Sequence, residues 1–175
     1  MRQISSKVAY ENEWMTIHED VVERVDGSAG LYFVMEKRHF ATVLPRGEGG
    51  FWMVEQYRYP IKRRAWEFPG GGWPHGVQGD QEALARTELA EETGLRADRL
   101  EHLGFLYQAY AYGTQGCDIY LATGLTAGRH AREATELDMV QRLVPDDEID
   151  EMIRDGRVIG SMTVACLALY RLHVG

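Results

Sequence analysis

The sequence has few of the residues that build soft-ligand metal centres. Its 175 residues include only two cysteines, Cys117 and Cys166, which lie far apart and form no CxxC pair. This excludes a disulfide framework and a cysteine zinc site, and it indicates reduced thiols in a cytosolic protein. The six histidines show neither HxH nor HExxH spacing, so a histidine zinc site is not expected either.

Positive charge and long apolar runs are also scarce. The chain carries 19 Lys and Arg against 27 Asp and Glu, a formal net charge of -8. Nucleic acids and anionic membranes attract cationic surfaces, so we expect neither as a partner. No apolar run reaches the roughly 18 residues of a membrane span, and residues 1–14 lack the apolar core of a signal peptide. These absences predict a soluble, cytoplasmic protein that would bind phosphates through a metal ion or local arginines.

What is present is the composition of a folded domain, with 45% hydrophobic and 26% charged residues. Helical and β-rich runs interleave, with hairpin turns among them, which predicts a mixed sheet with helices on both faces. Three consecutive glycines at 70–72 predict a break in regular structure. The last helix is apolar on nearly every side and is expected to be largely buried. The predicted strands are 16–22, 31–35, 40–44, 51–57, 66–68, 103–107, 117–122 and 140–144, and the predicted helices are 80–94, 145–156 and 161–173.

The helix 80–94 carries an acidic stripe. Glu88, Glu91 and Glu92 lie at positions i, i+3 and i+4, which at about 100° per residue places them within roughly 100° of arc. Ala83 and Ala90 are expected to point the opposite way, towards a core. Neighbouring like charges destabilise a helix, whereas converging carboxylate oxygens suit Mg²⁺ or Mn²⁺. The alternative is a solvated acidic face.

Around this helix the sequence resembles the Nudix hydrolases, whose box runs G-x5-E-x7-R-E-U-x-E-E-x-G-U. The segment 87–95, TELAEETGL, matches the second half of the box except at its arginine. The resemblance extends to EQYRYP at 55–60, WEFPGG at 66–71 and DGRVI at 155–159, together with Trp14 and a turn at Asp26. These segments are similar to the ADP-ribose pyrophosphatase branch and cover nearly the whole chain.

The sequence departs from the box at one structural pair. Thr87 replaces the box arginine, and the box glutamate falls on Gly79 or Val77, depending on the direction of counting. The loop 72–79 is about two residues longer than the pattern, and Arg86 lies about 100° round the helix from position 87. We interpret this as the loss of one structural ion pair, with the loop anchored in another way.

The resemblance implies an α/β (α+β) fold: a Nudix-type α/β/α sandwich with a mixed sheet, preceded by an antiparallel β segment. Residues 1–38 would form that segment and serve dimerisation or substrate contact, and residues 39–175 would form the Nudix domain. The branch also implies a homodimer.

The resemblance further implies roles for individual residues. Glu88, Glu91, Glu92 and the carbonyl of Gly70 would bind Mg²⁺ or Mn²⁺, with the base for a bound water as the alternative role of Glu91. A later loop at 129–136 would supply a further catalytic carboxylate, for which Glu133 and Glu136 are equal candidates. The residues assigned to substrate binding are Arg58, Glu67 and Gly71. Trp14 would stack on a base or pack in a core or dimer, and three tyrosines would line the cleft or simply pack: Tyr107, Tyr110 and Tyr112.

The function that follows is Mg²⁺-dependent hydrolysis of a nucleoside diphosphate sugar, with ADP-ribose giving AMP and ribose 5-phosphate as the first choice. GDP-mannose or another nucleotide sugar is the alternative within this class. A catalytically weak Nudix domain that senses a nucleotide is a second hypothesis, motivated by the missing arginine. A structural protein with a coincidental acidic helix is a third.

Overall fold

The N-terminal residues form a separate three-stranded antiparallel sheet, here called the N-terminal sheet. A computed structural model describes residues 1–74, 77, 79–128 and 137–175. The sheet has the order β1-β2-β3, and the predicted turn between β2 and β3 is confirmed, with the Ser28 amide donating to Asp26 Oδ1 at 3.0 Å. All ten residues of β1 are exposed. Its strands are β1 (Arg2–Glu11), β2 (Thr16–Glu23) and β3 (Ala29–Glu36).

The described residues after this sheet build a mixed sheet, as predicted, and it has seven strands. Its central order is β10-β5-β4-β9-β8, with β6 added beside β5 and β7 beside β4. The β4 and β9 strands run parallel, and the other pairs are antiparallel. The strands are β4 (Phe40–Gly47), β5 (Gly50–Arg58), β6 (Arg63–Glu67), β7 (Gly70–Gly71), β8 (Leu95–Tyr107), β9 (Gly116–Ala127) and β10 (Val140–Pro145), with a short 3-10 turn at Tyr59–Ile61.

Helices cover both faces of this sheet. Side chains alternate along its central strands, so each strand sends apolar residues to both faces. On β4, Val43 joins one apolar cluster with Leu84 and Leu89, whereas Leu44 joins the opposite cluster with Met152 and Leu167. The first cluster lies under the acidic helix and the second under the two later helices. This arrangement confirms the predicted fold class. The helices are α1 (Gln81–Thr93), α2 (Asp146–Arg154) and α3 (Ser161–Val174).

Three sequence predictions of local structure were wrong. The glycine run does not break regular structure, because Gly70 and Gly71 pair with β4 as a two-residue strand. The β8 strand begins directly after α1, at Leu95 rather than near 103. The α3 helix buries only one side, and Leu172 is 81% exposed, because the sheet covers a single face of the helix. In the described ranges no helix is long and apolar enough to cross a membrane.

Candidate active site

A glycine elbow at Gly70–Gly71 brings the chain close to the centre of the sheet. The two glycines pair with Thr42 and Ala41 of β4, and the Val43 amide donates to the Pro69 carbonyl at 2.9 Å. A Cβ on Gly70 would lie 2.9 Å from Thr42 Cα and closer still to the Ala41 carbonyl. Only glycine permits this approach of two backbones.

The acidic helix α1 is capped at both ends, by Asp80 and by Gly94. Asp80 Oδ1 accepts the Ala83 amide at 2.8 Å and so caps the N-terminus. Gly94 ends the helix at φ 67°, a left-handed conformation that glycine adopts without steric cost. The prediction that Ala83 and Ala90 face the core was wrong, since both are half-buried. The buried residues are Leu84, Ala85, Leu89, Glu92 and Thr93.

Glu92 therefore lies on the buried face of α1. It is not part of a solvated acidic face, which was the alternative interpretation of the acidic stripe. Its side chain is 2% exposed, and its Oε2 accepts the Gly70 amide at 3.3 Å. A buried carboxylate is costly unless it is hydrogen-bonded or binds a cation. The position of Glu92 at the elbow is the strongest structural sign of a functional site.

Glu88 contacts the second glycine of the elbow, one turn before Glu92. A Cβ on Gly71 would lie 2.7 Å from each carboxylate oxygen of Glu88, so this glycine also gives the carboxylate room. Glu91 is half-buried. Within the described ranges, no three His, Cys, Asp or Glu side chains are grouped closely enough to hold a metal ion. The elbow thus gathers two carboxylates, Glu88 and Glu92, each beside one glycine.

A cavity of about 650 Å³ opens next to the elbow. Glu67, Gly70 and Arg58 line it together with the first turn of α3. Arg58 forms an ion pair with Glu67, the Nη2 to Oε1 distance being 2.8 Å. Two of the three residues predicted to bind substrate, Arg58 and Glu67, thus line this cavity, whereas Gly71 does not. The guanidinium places a positive charge there, which can donate hydrogen bonds to a phosphate.

The remaining predicted residues are placed as follows. Glu133 and Glu136 lie outside the described residues. Trp14 is 66% exposed and lines a smaller cavity of about 240 Å³ beside Lys37, so it does not pack in the core. The three tyrosines are exposed: Tyr107 at the end of β8, and Tyr110 and Tyr112 in the connection to β9.

The structure shows what became of the missing box pair. The Thr87 hydroxyl donates to the Ala83 carbonyl at 3.0 Å, within its own helix. Arg86 pairs with Glu82 and donates to the Ala97 carbonyl at 3.0 Å, which agrees with the expectation that it does not replace the arginine. The loop is instead contacted by Arg38, which sequence reasoning missed because a lone arginine between two strands belongs to no motif.

Both cysteine thiols are unsuited to catalysis. Burial raises the pKa of Cys117 to about 11, and burial likewise raises the pKa of Cys166. Both side chains are fully buried in the apolar cluster under α2 and α3. The thiols therefore stay protonated at neutral pH and act as small apolar residues.

Comparison with known proteins now defines the class. Residues 35–158 match the NUDIX domain, and residues 1–35 match the nucleoside diphosphate sugar hydrolase N-terminal domain. The chain belongs to the Nudix family of hydrolases, and it is an enzyme. Within that family the two matches together make it a Nudix hydrolase of the nucleoside diphosphate sugar type.

Similar proteins cover almost the whole chain. An ADP-ribose pyrophosphatase of Mycobacterium tuberculosis is 32% identical over 98% of this chain and 84% of that protein. A methanol dehydrogenase activator of Bacillus methanolicus is 26% identical over 98% of this chain and 93% of that protein. A solved structure described as an ADP compounds hydrolase superposes with a TM-score of 0.85 over 99% of this chain and 95% of that chain, at 18% identity, and it confirms the fold.

Proposed function

We propose that this enzyme hydrolyses the pyrophosphate linkage of ADP-ribose to give AMP and ribose 5-phosphate. The observation that carries the proposal is the buried Glu92 carboxylate at the glycine elbow, beside the cavity that holds Arg58. Similar proteins named ADP-ribose pyrophosphatase, in Mycobacterium tuberculosis and Bacillus subtilis, support this choice of substrate. GDP-mannose and other nucleotide sugars are the alternatives within this class.

The proposed cofactor is Mg²⁺, with Mn²⁺ as the alternative. The donors at the elbow are carboxylate oxygens beside backbone groups, which is the ligand chemistry that these hard cations take. We propose Glu88, Glu91, Glu92 and the Gly70 carbonyl as ligands; of the three carboxylates, Glu88 and Glu92 already lie at the elbow, and Glu91 would have to move to join them. A bound divalent ion would offset phosphate charge and lower the pKa of a coordinated water.

The chain's own residues then position the reaction. Arg58 would donate charge-assisted hydrogen bonds to a phosphate oxygen, and its pairing with Glu67 fixes the guanidinium at the cavity wall. A water oxygen bonds to one phosphorus, the bond from that phosphorus to the bridging oxygen breaks, and the bridging oxygen leaves on the other phosphate. A carboxylate takes the proton of the water. Glu91, Glu133 and Glu136 remain the predicted candidates for this step.

A panel of nucleotide sugars tests the substrate and the site together. With Mg²⁺ and a phosphate readout after phosphatase treatment, ADP-ribose should be cleaved fastest. Glu92→Gln should lower kcat/KM by roughly 100-fold or more, the scale typical of lost transition-state electrostatics. Glu82→Gln is the matched control, because Glu82 lies on the same helix and is half exposed beside Arg86.

The outcomes separate the hypotheses. Faster cleavage of GDP-mannose than of ADP-ribose would make GDP-mannose the substrate of this enzyme. Tight binding of ADP-ribose without turnover would support the hypothesis of a nucleotide sensor. Full activity of Glu92→Gln would refute the assigned site.

We also propose that residues 1–38 mediate a homodimer or contact substrate, and that residues 39–175 carry catalysis. The N-terminal sheet exposes apolar side chains on two strands, including Ile4, Val8, Leu31 and Phe33, each more than half exposed. Such patches on a folded domain mark interaction surfaces.

Light scattering after gel filtration should give twice the chain mass for the wild type and the chain mass for an Ile4→Lys/Val8→Lys variant. A monomeric wild type would refute the dimer. The cytoplasmic location stays a prediction.

A further inference from the structure

We infer that Arg38 is a positioning residue that holds the loop 72–79 in place of the ion pair found in the usual Nudix box. Its consequence for catalysis rests on the proposed function, whereas its effect on the loop does not. Three features of the structure support this role: Arg38 contacts the loop, hydrogen bonds hold the backbone around Arg38, and Trp73 packs within the loop.

One guanidinium nitrogen of Arg38 bridges two loop carbonyls. Its Nη1 donates to the Pro74 carbonyl at 3.0 Å and to the Val77 carbonyl at 3.1 Å. The Val77 amide also donates to the Pro74 carbonyl at 3.1 Å, so the guanidinium and this backbone bond link the same two residues. Arginine suits this role because its charge persists at every working pH and its donors form a rigid plane.

The backbone that carries Arg38 is itself fixed. Gln115 Nε2 donates to the Arg38 carbonyl at 2.9 Å, and the Lys37 amide donates to Thr114 Oγ1 at 3.2 Å. On the other side, the Gly116 amide donates to His39 Nδ1 at 2.9 Å. The connection between β3 and β4 is therefore held against the segment that leads into β9, and it presents the guanidinium from a defined position.

Apolar packing completes the anchor where the box glutamate would stand. The Trp73 indole lies against Gly79, and a Cβ at position 79 would approach its ring to 2.6 Å. A glutamate at 79 would therefore displace Trp73. The Trp73 Nε1 is buried without a hydrogen bond to any residue in the described ranges. Trp73 thus contributes packing, and among the described residues Arg38 donates hydrogen bonds to Pro74 and Val77 of the loop.

The contacts of Arg38 affect the proposed metal site because the loop is part of the chain that forms it. The loop joins the glycine elbow directly to the Asp80 cap of α1, so its shape helps to set the helix against the elbow. Glu88 and Glu92 each meet one glycine of that elbow. A looser loop should therefore weaken divalent-ion binding more than substrate binding.

The experiment compares Arg38→Gln with a matched control, Arg24→Gln. Arg24 is also an exposed arginine that donates to a backbone carbonyl, that of Ala29, but it lies in the connection between β2 and β3. Hydrogen exchange of the metal-free protein should be faster at the Val77 amide in Arg38→Gln only. Exchange in β9 and α3 should match the wild type, which shows that the variant is folded.

Two further readouts separate positioning from substrate contact. The Mn²⁺ dissociation constant, measured by electron paramagnetic resonance without substrate, should rise about tenfold in Arg38→Gln, the lower end of the loss typical of residues that support metal ligands. The KM for ADP-ribose at saturating metal should stay within about twofold of wild type. Unchanged exchange at Val77 would overturn the anchor, and a raised KM with unchanged Mn²⁺ affinity would make Arg38 a substrate ligand instead. Failure of ADP-ribose hydrolysis in the wild type would refute the proposed function alone.

Discussion

The substitution Gly71→Ala isolates the contact between the glycine elbow and the acidic helix. The new Cβ would lie 2.7 Å from both oxygens of Glu88, whereas comfortable carbon–oxygen contacts begin at about 3.3 Å. The carboxylate must therefore retreat by about 0.6 Å. Because it is the end of a flexible side chain, it can do so with little disturbance of the backbone.

This shift of the Glu88 carboxylate should lower activity and leave the free energy of unfolding nearly unchanged. Metal–ligand distances are held to within about 0.2 Å, and a misplacement of about 1 Å at a reaction centre can cost about 100-fold in rate. For about 0.6 Å we expect a fall in kcat/KM of roughly tenfold, or about 1.4 kcal/mol of transition-state stabilisation. The free energy of unfolding should change by less than about 1 kcal/mol.

The two neighbouring glycines provide the controls. A Cβ on Gly72 would meet nothing closer than 3.8 Å, so Gly72→Ala should leave both activity and stability unchanged. A Cβ on Gly70 would meet β4 backbone, so Gly70→Ala should lower both. The assays are initial rates over a Mg²⁺ titration and urea unfolding. Equal activity of Gly71→Ala and Gly72→Ala would refute the argument that the elbow positions Glu88.

Two further predictions concern the folded state. Hydrogen bonds from Arg142 and Arg157 lower the pKa of Glu148 to about 2, from 4.5, so its stabilising effect is complete above about pH 4.5 and is lost as the pH falls towards 2. Thermal unfolding of Glu148→Gln should therefore show a lower midpoint at pH 7 and a weaker acid dependence than wild type; parallel curves would contradict this. Asp80→Ala removes the cap bond to the Ala83 amide and should lower the free energy of unfolding by about 1 kcal/mol, whereas Asp80→Asn should keep most of it in the same urea titration.

Local patterns predicted most of the regular structure. The caps at Asp80 and Gly94 are chemical signals in the sequence, and the structure places the ends of α1 there. The β1 strand has no such end signals; Ile4, Val8 and Tyr10 mark one face of it, but all its residues are exposed, so no burial against the core accompanies this pattern. The predicted inner face of α1 was wrong, because the helix buries the larger apolar side chains of Leu84 and Leu89 against β4 and leaves Ala83 and Ala90 half-buried.

The sequence by itself determined the class of chemistry, since the spacing of Glu88, Glu91 and Glu92 and the glycine run are local features. Only the tertiary structure decided that Glu92 is buried at the elbow and that Arg38 fastens the loop. The guanidinium reaches residues 36 and 39 positions further along the chain. Such contacts depend on how β4, β7 and α1 pack in three dimensions, and no spacing rule along one chain encodes them.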